Sequence, residues 1–170
     1  MNIVLTGFMA SGKTSIAKAI AEMSDYKYID TDDMITSSEG RSINEIFKTS
    51  GETEFRRMER EAVRRAAALS GYVISTGGGV PVDASNIHEL RKTGIIVNLA
   101  PDFSVIEARI KSAAATRPLL RDQDIDGIRA RFEARKPFYD DCDIRIRVSD
   151  EMTPIEYAEE ILNKVRSFAE

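Results

Sequence analysis

Residues 7–14 read Gly-Phe-Met-Ala-Ser-Gly-Lys-Thr, a complete G-x-x-x-x-G-K-[ST] string. An apolar run, Ile3-Val4-Leu5, leads into it, and Ile16, Ala17, Ile20 and Ala21 follow at helical spacing. A strand, a glycine-rich turn and a helix in immediate succession aim backbone N–H groups and a helix N-terminus at one point. That point attracts the β- and γ-phosphates of a nucleotide. Lys13 adds a mobile positive charge, and the Thr14 hydroxyl suits Mg²⁺. The competing reading is a tight strand-to-helix turn whose glycines serve only geometry. Eight matching positions in the right surroundings weigh against it. The chain is expected to bind a nucleoside triphosphate, and Gly7, Ala10, Ser11, Gly12, Lys13, Thr14 and Ser15 are its expected contacts.

A chain of 170 residues makes one domain with room for a sheet covered on both faces. The formal net charge of −4 gives no global field favouring nucleic acid or an anionic membrane. Any anion site must therefore be built locally. Cys142 is the single cysteine, which excludes an internal disulfide framework and a multi-cysteine metal site. A reducing, cytoplasmic setting is the expectation, and strand-like residues starting almost at Met1 leave no room for a signal peptide. No apolar run approaches the roughly 20 residues that span a bilayer.

Five runs read as strands: residues 2–6, 26–29, 72–75, 95–99 and 144–148. Several are apolar on both sides of the pleat, as buried parallel strands require. Helical patterns separate them. Ser42-Ile43-Asn44-Glu45 is a capping box that opens a short helix. Residues 52–69 form a longer helical pattern, and Thr153-Pro154-Ile155-Glu156 starts a final helix running toward Phe168. Alternating strands and helices predict an α/β domain with a parallel sheet and right-handed crossovers. Ligands in such sheets bind beyond the carboxyl ends of the strands. Three segments fall there: 7–14, 30–32 and 76–79.

Each further segment has two readings. Asp30-Thr31-Asp32 can hold Mg²⁺ through water with one carboxylate and orient an acceptor hydroxyl with the other. Equally, Asp32 or Asp33 can only cap the next helix. Gly77-Gly78-Gly79 lets backbone approach a ligand closely, or it is a flexible turn before a helix near Val82. Arg56 and Arg57 read, on spacing alone, as a charged helix face with i,i+4 pairs such as Glu52–Arg56. Residues 112–127, broken by Pro118, suit a lid, over which Arg117, Arg121, Arg129, Arg131 and Arg135 are candidate cations. His88 reads as a surface residue and Cys142 as an inert thiol.

Taken together, these strings resemble the shikimate kinases. The resemblance runs through Gly-Phe-Met-Ala-Ser-Gly-Lys-Thr at 7–14, Ile-Asp-Thr-Asp at 29–32, Ile-Phe at 46–47 and Gly-Glu-x-x-Phe-Arg-x-x-Glu at 51–59. It continues through Thr-Gly-Gly-Gly at 76–79, Arg-Pro-Leu-Leu at 117–120 and Arg-Lys-Pro-Phe-Tyr at 135–139. It implies a P-loop kinase fold akin to nucleoside monophosphate kinases, with strand order 2-3-1-4-5, helices on both faces and a mobile lid. It also implies a shikimate-binding segment over about 32–60. ATP and shikimate would be the substrates, Mg²⁺ the cofactor, and the chain a monomer.

The same resemblance assigns roles. Asp32 would contact the reacting hydroxyl as base or orienter, with Lys13 and Arg117 acting on the transferring phosphate. Arg56 and Arg135 would bind the shikimate carboxylate, a task suited to planar guanidinium groups. Gly78 and Gly79 would offer N–H groups, and Phe47 and Phe55 would wall the apolar face of the acceptor. Thr14, and Asp30 through water, would hold Mg²⁺, while Pro154 would flank adenine. Two positions depart from the family pattern. Ala10 stands where glycine is usual, and is expected to keep a negative φ. Ile110 stands where an adenine-stacking arginine is usual, leaving that role open between Arg109 and Lys111, with Arg109 placed among the ATP contacts.

Two rival functions remain at this point. Gluconate also offers a carboxylate and hydroxyls to a kinase of this fold, but Asp32, Arg56, Gly77–Gly79 and Arg135 together favour shikimate. A guanine-selective switch would carry Asn-Lys-x-Asp, whereas the nearest string is Asn163-Lys164-Val165-Arg166.

Overall fold

The computed structural model describes residues 1–116 and 124–170. Strand β1 (Asn2–Thr6) is buried along its whole length and pairs in parallel with β3 (Tyr72–Ser75) and β4 (Gly94–Pro101). Strand β2 (Lys27–Asp30) adds outside β3, and β5 (Ile144–Val148) outside β4. The order is β2-β3-β1-β4-β5, all parallel. The central strands are apolar on both sides because both sides are covered. Ile3, Leu5, Val73 and Val97 face one side, where α1 (Lys13–Met23) and α7 (Pro154–Ala169) pack through Ile16, Ile20, Tyr157 and Ile161. Val4, Ile74 and Ile96 alternate to the other side, against α3 (Ile43–Ala67) and α4 (Ala84–Arg91). Edge strand β5 shows the complementary pattern, with Arg145 and Arg147 exposed between buried apolar residues.

Both anticipated capping boxes form: Ser42 with Glu45, and Thr153 with Glu156. The two helical patterns at 42–50 and 52–69 join into α3, with a sharp break at Gly51 (φ 82°) that only glycine adopts without strain. The helix stops at Ala67, short of Leu69. The Leu69 carbonyl instead accepts a hydrogen bond from the Asn2 side chain at 2.7 Å, a tie across the fold that local spacing does not reveal. The 112–127 span is helical at both ends: α5 covers Phe103–Thr116 and α6 covers Ile125–Tyr139, capped by Asp124. Its middle, including Arg117 and Arg121, lies outside the described residues. A short helix, α2 (Thr31–Glu39), follows β2 at once. Parallel pairing brings the carboxyl ends of β1, β2 and β3 to one edge, so 7–14, 30–32 and 76–79 converge there as anticipated.

Candidate active site

The phosphate loop closes around its own lysine. Lys13 Nζ donates to the carbonyls of Gly7 at 2.6 Å and Phe8 at 3.0 Å, and lies 3.4 Å from Ser11 Oγ. Burial lowers its pKa to about 8, against the opposing pull of Asp30 and Asp32. A Cβ on Gly7 would stand 2.8 Å from both the Leu99 carbonyl and Ser11 Oγ, so the turn admits only glycine there. Gly12 (φ 92°) opens α1, and Thr14 and Ser15 stand exposed in its first turn. Ala10 overturns the expectation of a negative φ: it sits at +58°. The cause is local. Ser11 N–H closes a turn onto the Phe8 carbonyl at 3.2 Å, and Ala10 occupies the left-handed position of that turn. Its carbonyl is then gripped by Arg109 Nη1 at 2.7 Å.

That arginine spans a cleft of about 420 Å³ between the loop and the start of α7, lined also by Ser15, Val148, Met152 and Pro154. Asp150 Oδ1 receives Arg109 Nε at 3.0 Å and Nη2 at 2.8 Å. Pro154 and Arg109 thus face one cavity, which Asp32 does not line. Lys111 pairs with Glu107 at 2.7 Å on the exposed surface and does not line the cleft, while Ile110 is buried.

The acceptor side is assembled from four segments. Asp30 caps α2, its Oδ1 accepting from the N–H of Asp32 at 2.8 Å and of Asp33 at 3.3 Å. The cap is therefore Asp30, and Asp32 is released for other work. Burial raises the Asp32 carboxyl to about pH 6, with Asp30 and Glu59 adding to the rise and Lys13 opposing it. The glycine turn explains its own composition. None of the three takes a positive φ. A Cβ on Gly77 would lie 2.6 Å from Asp32 Oδ1, and a Cβ on Gly79 would overlap the Arg56 guanidinium. Gly78 has more room, with Arg135 Nη1 at 3.7 Å from its Cβ position. Each glycine thus faces one of Asp32, Arg135 and Arg56. Phe47 and Phe55 stack at 4.6 Å between centroids, and the Arg56 guanidinium lies 5.3 Å from the Phe55 ring. The expected Glu52–Arg56 pair exists at 3.6 Å, but buried Glu59 holds Arg56 more closely, at 2.9 Å.

A shikimate kinase family model matches residues 9–166. A shikimate kinase from Caldanaerobacter subterraneus subsp. tengcongensis is 45% identical over 95% of this chain and 94% of its own. The chain belongs to the shikimate kinase family. Among solved structures, a shikimate kinase from Bacteroides thetaiotaomicron superposes with TM-score 0.87 at 31% identity, covering 98% of each chain. One from Acinetobacter baumannii in complex with shikimate gives 0.86 at 28% identity, over 98% of this chain and 93% of that one.

Within this shikimate kinase fold, four further residues hold the site together without a role assigned from sequence. Thr31, fully buried, accepts the Gly77 N–H at 3.0 Å. Glu59 braces Arg56, and Asp150 braces Arg109. The Tyr139 hydroxyl donates to the Gly78 carbonyl at 2.7 Å. Only two of these left a signal: Glu59 stands one helical turn after Arg56, and Tyr139 one turn after Arg135. Thr31 and Asp150 act through folding across long sequence separations. His88 is exposed, as anticipated, and Cys142 is half-buried.

Proposed function

We propose that this chain transfers the γ-phosphoryl group of ATP to the 3-hydroxyl of shikimate, giving 3-phosphoshikimate and ADP. The observation that carries this reading is the convergence of Asp32, Arg56 and Arg135 on one glycine turn beside Lys13. Arg56 and Arg135 grip the carboxylate of the acceptor, and Phe47 and Phe55 wall its apolar face. Gly78 and Gly79 carry N–H groups that donate to none of the described residues and are turned to the acceptor. Asp32 receives the hydroxyl proton as the oxygen attacks the γ-phosphorus and the bond to the β-phosphate oxygen breaks. A carboxyl near pH 6 is ionised at neutral pH yet basic enough for that task. Lys13 and Arg117 bear on the charge of the transferring group. Gly7, Ala10, Ser11, Gly12, Thr14 and Ser15 cradle the phosphates, and Pro154 and Arg109 flank adenine.

The donors suit Mg²⁺. Thr14 presents an exposed hydroxyl, and Asp30 Oδ2 accepts from none of the described residues. Ser75, the register partner of Asp30, has a buried Oγ without a hydrogen bond. Thr14, with Asp30 through water, would hold the ion, which neutralises phosphate charge when bound. No group of three or more His, Cys, Asp or Glu suited to a metal occurs among the described residues, consistent with an ion held mainly by nucleotide and water.

The same reading takes the chain as a monomer in the reducing cytoplasm, a compartment that suits a single free cysteine, half-buried with its thiol pushed up by burial. No helix among the described residues is long and apolar enough to cross a membrane. The deciding experiment is shikimate-dependent ADP release with Mg²⁺, the product assigned by ³¹P NMR. A folded protein that binds ATP, ignores shikimate and phosphorylates gluconate would overturn the reading.

A further inference from the structure

Arg135 and Tyr139 stand four residues apart on α6, hence on one face of the helix. Both meet the same residue. Arg135 lies against Gly78, and the Tyr139 hydroxyl donates to the Gly78 carbonyl at 2.7 Å. The Tyr139 ring is buried in a cluster with Phe8 and Phe132, so its position is set by packing and its hydroxyl is a fixed donor. Burial also pushes the phenol up, which keeps the O–H protonated near neutral pH, while the charge of Arg135 and its hydrogen bond to the phenol oppose that rise.

The consequence follows from peptide geometry. The structure contains no cis peptide bond among the described residues. In a trans peptide the C=O of one residue and the N–H of the next point in opposite directions. Anchoring the Gly78 carbonyl toward α6 therefore turns the Gly79 N–H away from α6. That peptide is the central plane of a turn closed by the Val80 N–H on the Gly77 carbonyl at 3.1 Å, and with glycine on both sides such a plane can face either way while the turn stays closed. We propose that Tyr139 is a positioning residue for the acceptor: it sets the Gly78–Gly79 peptide plane, aiming the Gly79 N–H, and ties that plane to the helix that carries Arg135. This rests on the proposed function, because it presumes that the Gly79 N–H and Arg135 bind shikimate. It adds a residue that touches neither substrate.

The test compares wild type, Y139F, and a variant carrying para-aminophenylalanine at position 139, whose N–H restores a donor. Y139F keeps the ring and removes only the hydroxyl. Its KM for shikimate should rise about tenfold, the scale of one lost hydrogen bond, with the KM for ATP within about twofold. In ¹⁵N-labelled protein, the shift of the Gly79 amide on adding shikimate should shrink. The amino variant should recover most of the loss. An unchanged shikimate KM in folded Y139F, an equal rise for both substrates, or no recovery by the amino variant overturns the inference. If Y139F does not fold, a variant carrying para-chlorophenylalanine at position 139, which fills the hydroxyl's space without a donor, decides in its place: a rise confined to shikimate supports positioning, and a shared rise or none overturns it. Wild type that ignores shikimate brings down the proposed function and this inference with it. Active wild type with an indifferent Y139F brings down this inference only.

Discussion

The nucleotide side and the acceptor side of this cleft are built by different means. The phosphate loop is eight contiguous residues whose chemistry is mostly backbone: N–H groups, a helix terminus and carbonyls closed around Lys13. The acceptor side is instead three charged side chains, Asp32, Arg56 and Arg135, from segments up to about a hundred residues apart, which only the fold brings to one glycine turn. Glu59 holds Arg56, and Asp30 frees Asp32 by taking the cap. The lesson is that backbone sites are specified by a short string, whereas side-chain sites are specified by the fold. Loss of one side chain should therefore be felt on one substrate only.

That contrast can be broken. The largest effect is expected at the carboxylate grip. Arg56→Ala or Arg135→Ala should weaken shikimate binding by roughly 2–4 kcal/mol, the range for truncating one partner of a buried charged contact, with ATP affinity retained. Arg64→Ala, exposed and paired with exposed Glu61, should change neither. Equal losses at Arg64 and Arg56, read from both Michaelis constants, would mean that general destabilisation is being measured.

Asp32→Asn should lower kcat about 10²-fold or more while ATP still binds. It should also stabilise the protein. The folded carboxyl titrates near 6 against an ordinary value of 3.8, so the folded state holds the proton more tightly than the unfolded one. Stability is thus lost as pH rises through that interval, and above it the ionised group costs about 2 kcal/mol after allowance for its partial exposure. Thermal melts should show Asp32→Asn raising Tm at pH 7.5 and converging with wild type near pH 4. A variant that is slower but no more stable would remove burial as the source of the shift.

The pH profile separates the two sides again. Activity should fall below about pH 6 as Asp32 takes a proton, and kcat/KM for ATP should fall above about pH 8 as Lys13 loses one. Bound phosphates favour the charged lysine, so the alkaline limb should move upward in kcat. Identical alkaline limbs in both profiles would show that Lys13 is not the group responsible.

The smallest effect is at Ala10. A left-handed alanine costs about 1 kcal/mol relative to glycine, so Ala10→Gly should raise stability by that amount in chemical denaturation. An unchanged midpoint would mean that the Arg109 contact fully offsets the strain.

The parallel sheet, convergence of the three segments and both capping boxes were legible in the sequence, because hydrophobic period and caps are local signals, whereas strand order came only with the family resemblance. The acceptor arginines were named by the family resemblance and not by spacing. Arg56 and Arg57 are adjacent in a charged helix, and only the fold turns Arg56 to buried Glu59 and leaves Arg57 with exposed Glu54. Likewise, spacing left two reasons open for Gly77-Gly78-Gly79, and the structure supplies a third: the turn is pressed against the side chains of Asp32, Arg135 and Arg56. The positive φ at Ala10 comes from the turn that closes Ser11 N–H onto the Phe8 carbonyl, which residue type alone does not announce, since alanine disfavours that position.

For anyone wishing to retrain this enzyme on other hydroxy acids, the crowding at the glycine turn decides where variation is useful. A methyl group at 77 or 79 meets the tip of a flexible side chain rather than backbone. Such a protein would still fold, yet carry a displaced Asp32 or Arg56, and a screen for expression would not reveal the fault. Position 78 has the space for alanine. Phe47, 37% exposed against 4% for Phe55, can change size without opening the core. A combinatorial library is best spent on 47 and 78, holding 77 and 79 fixed.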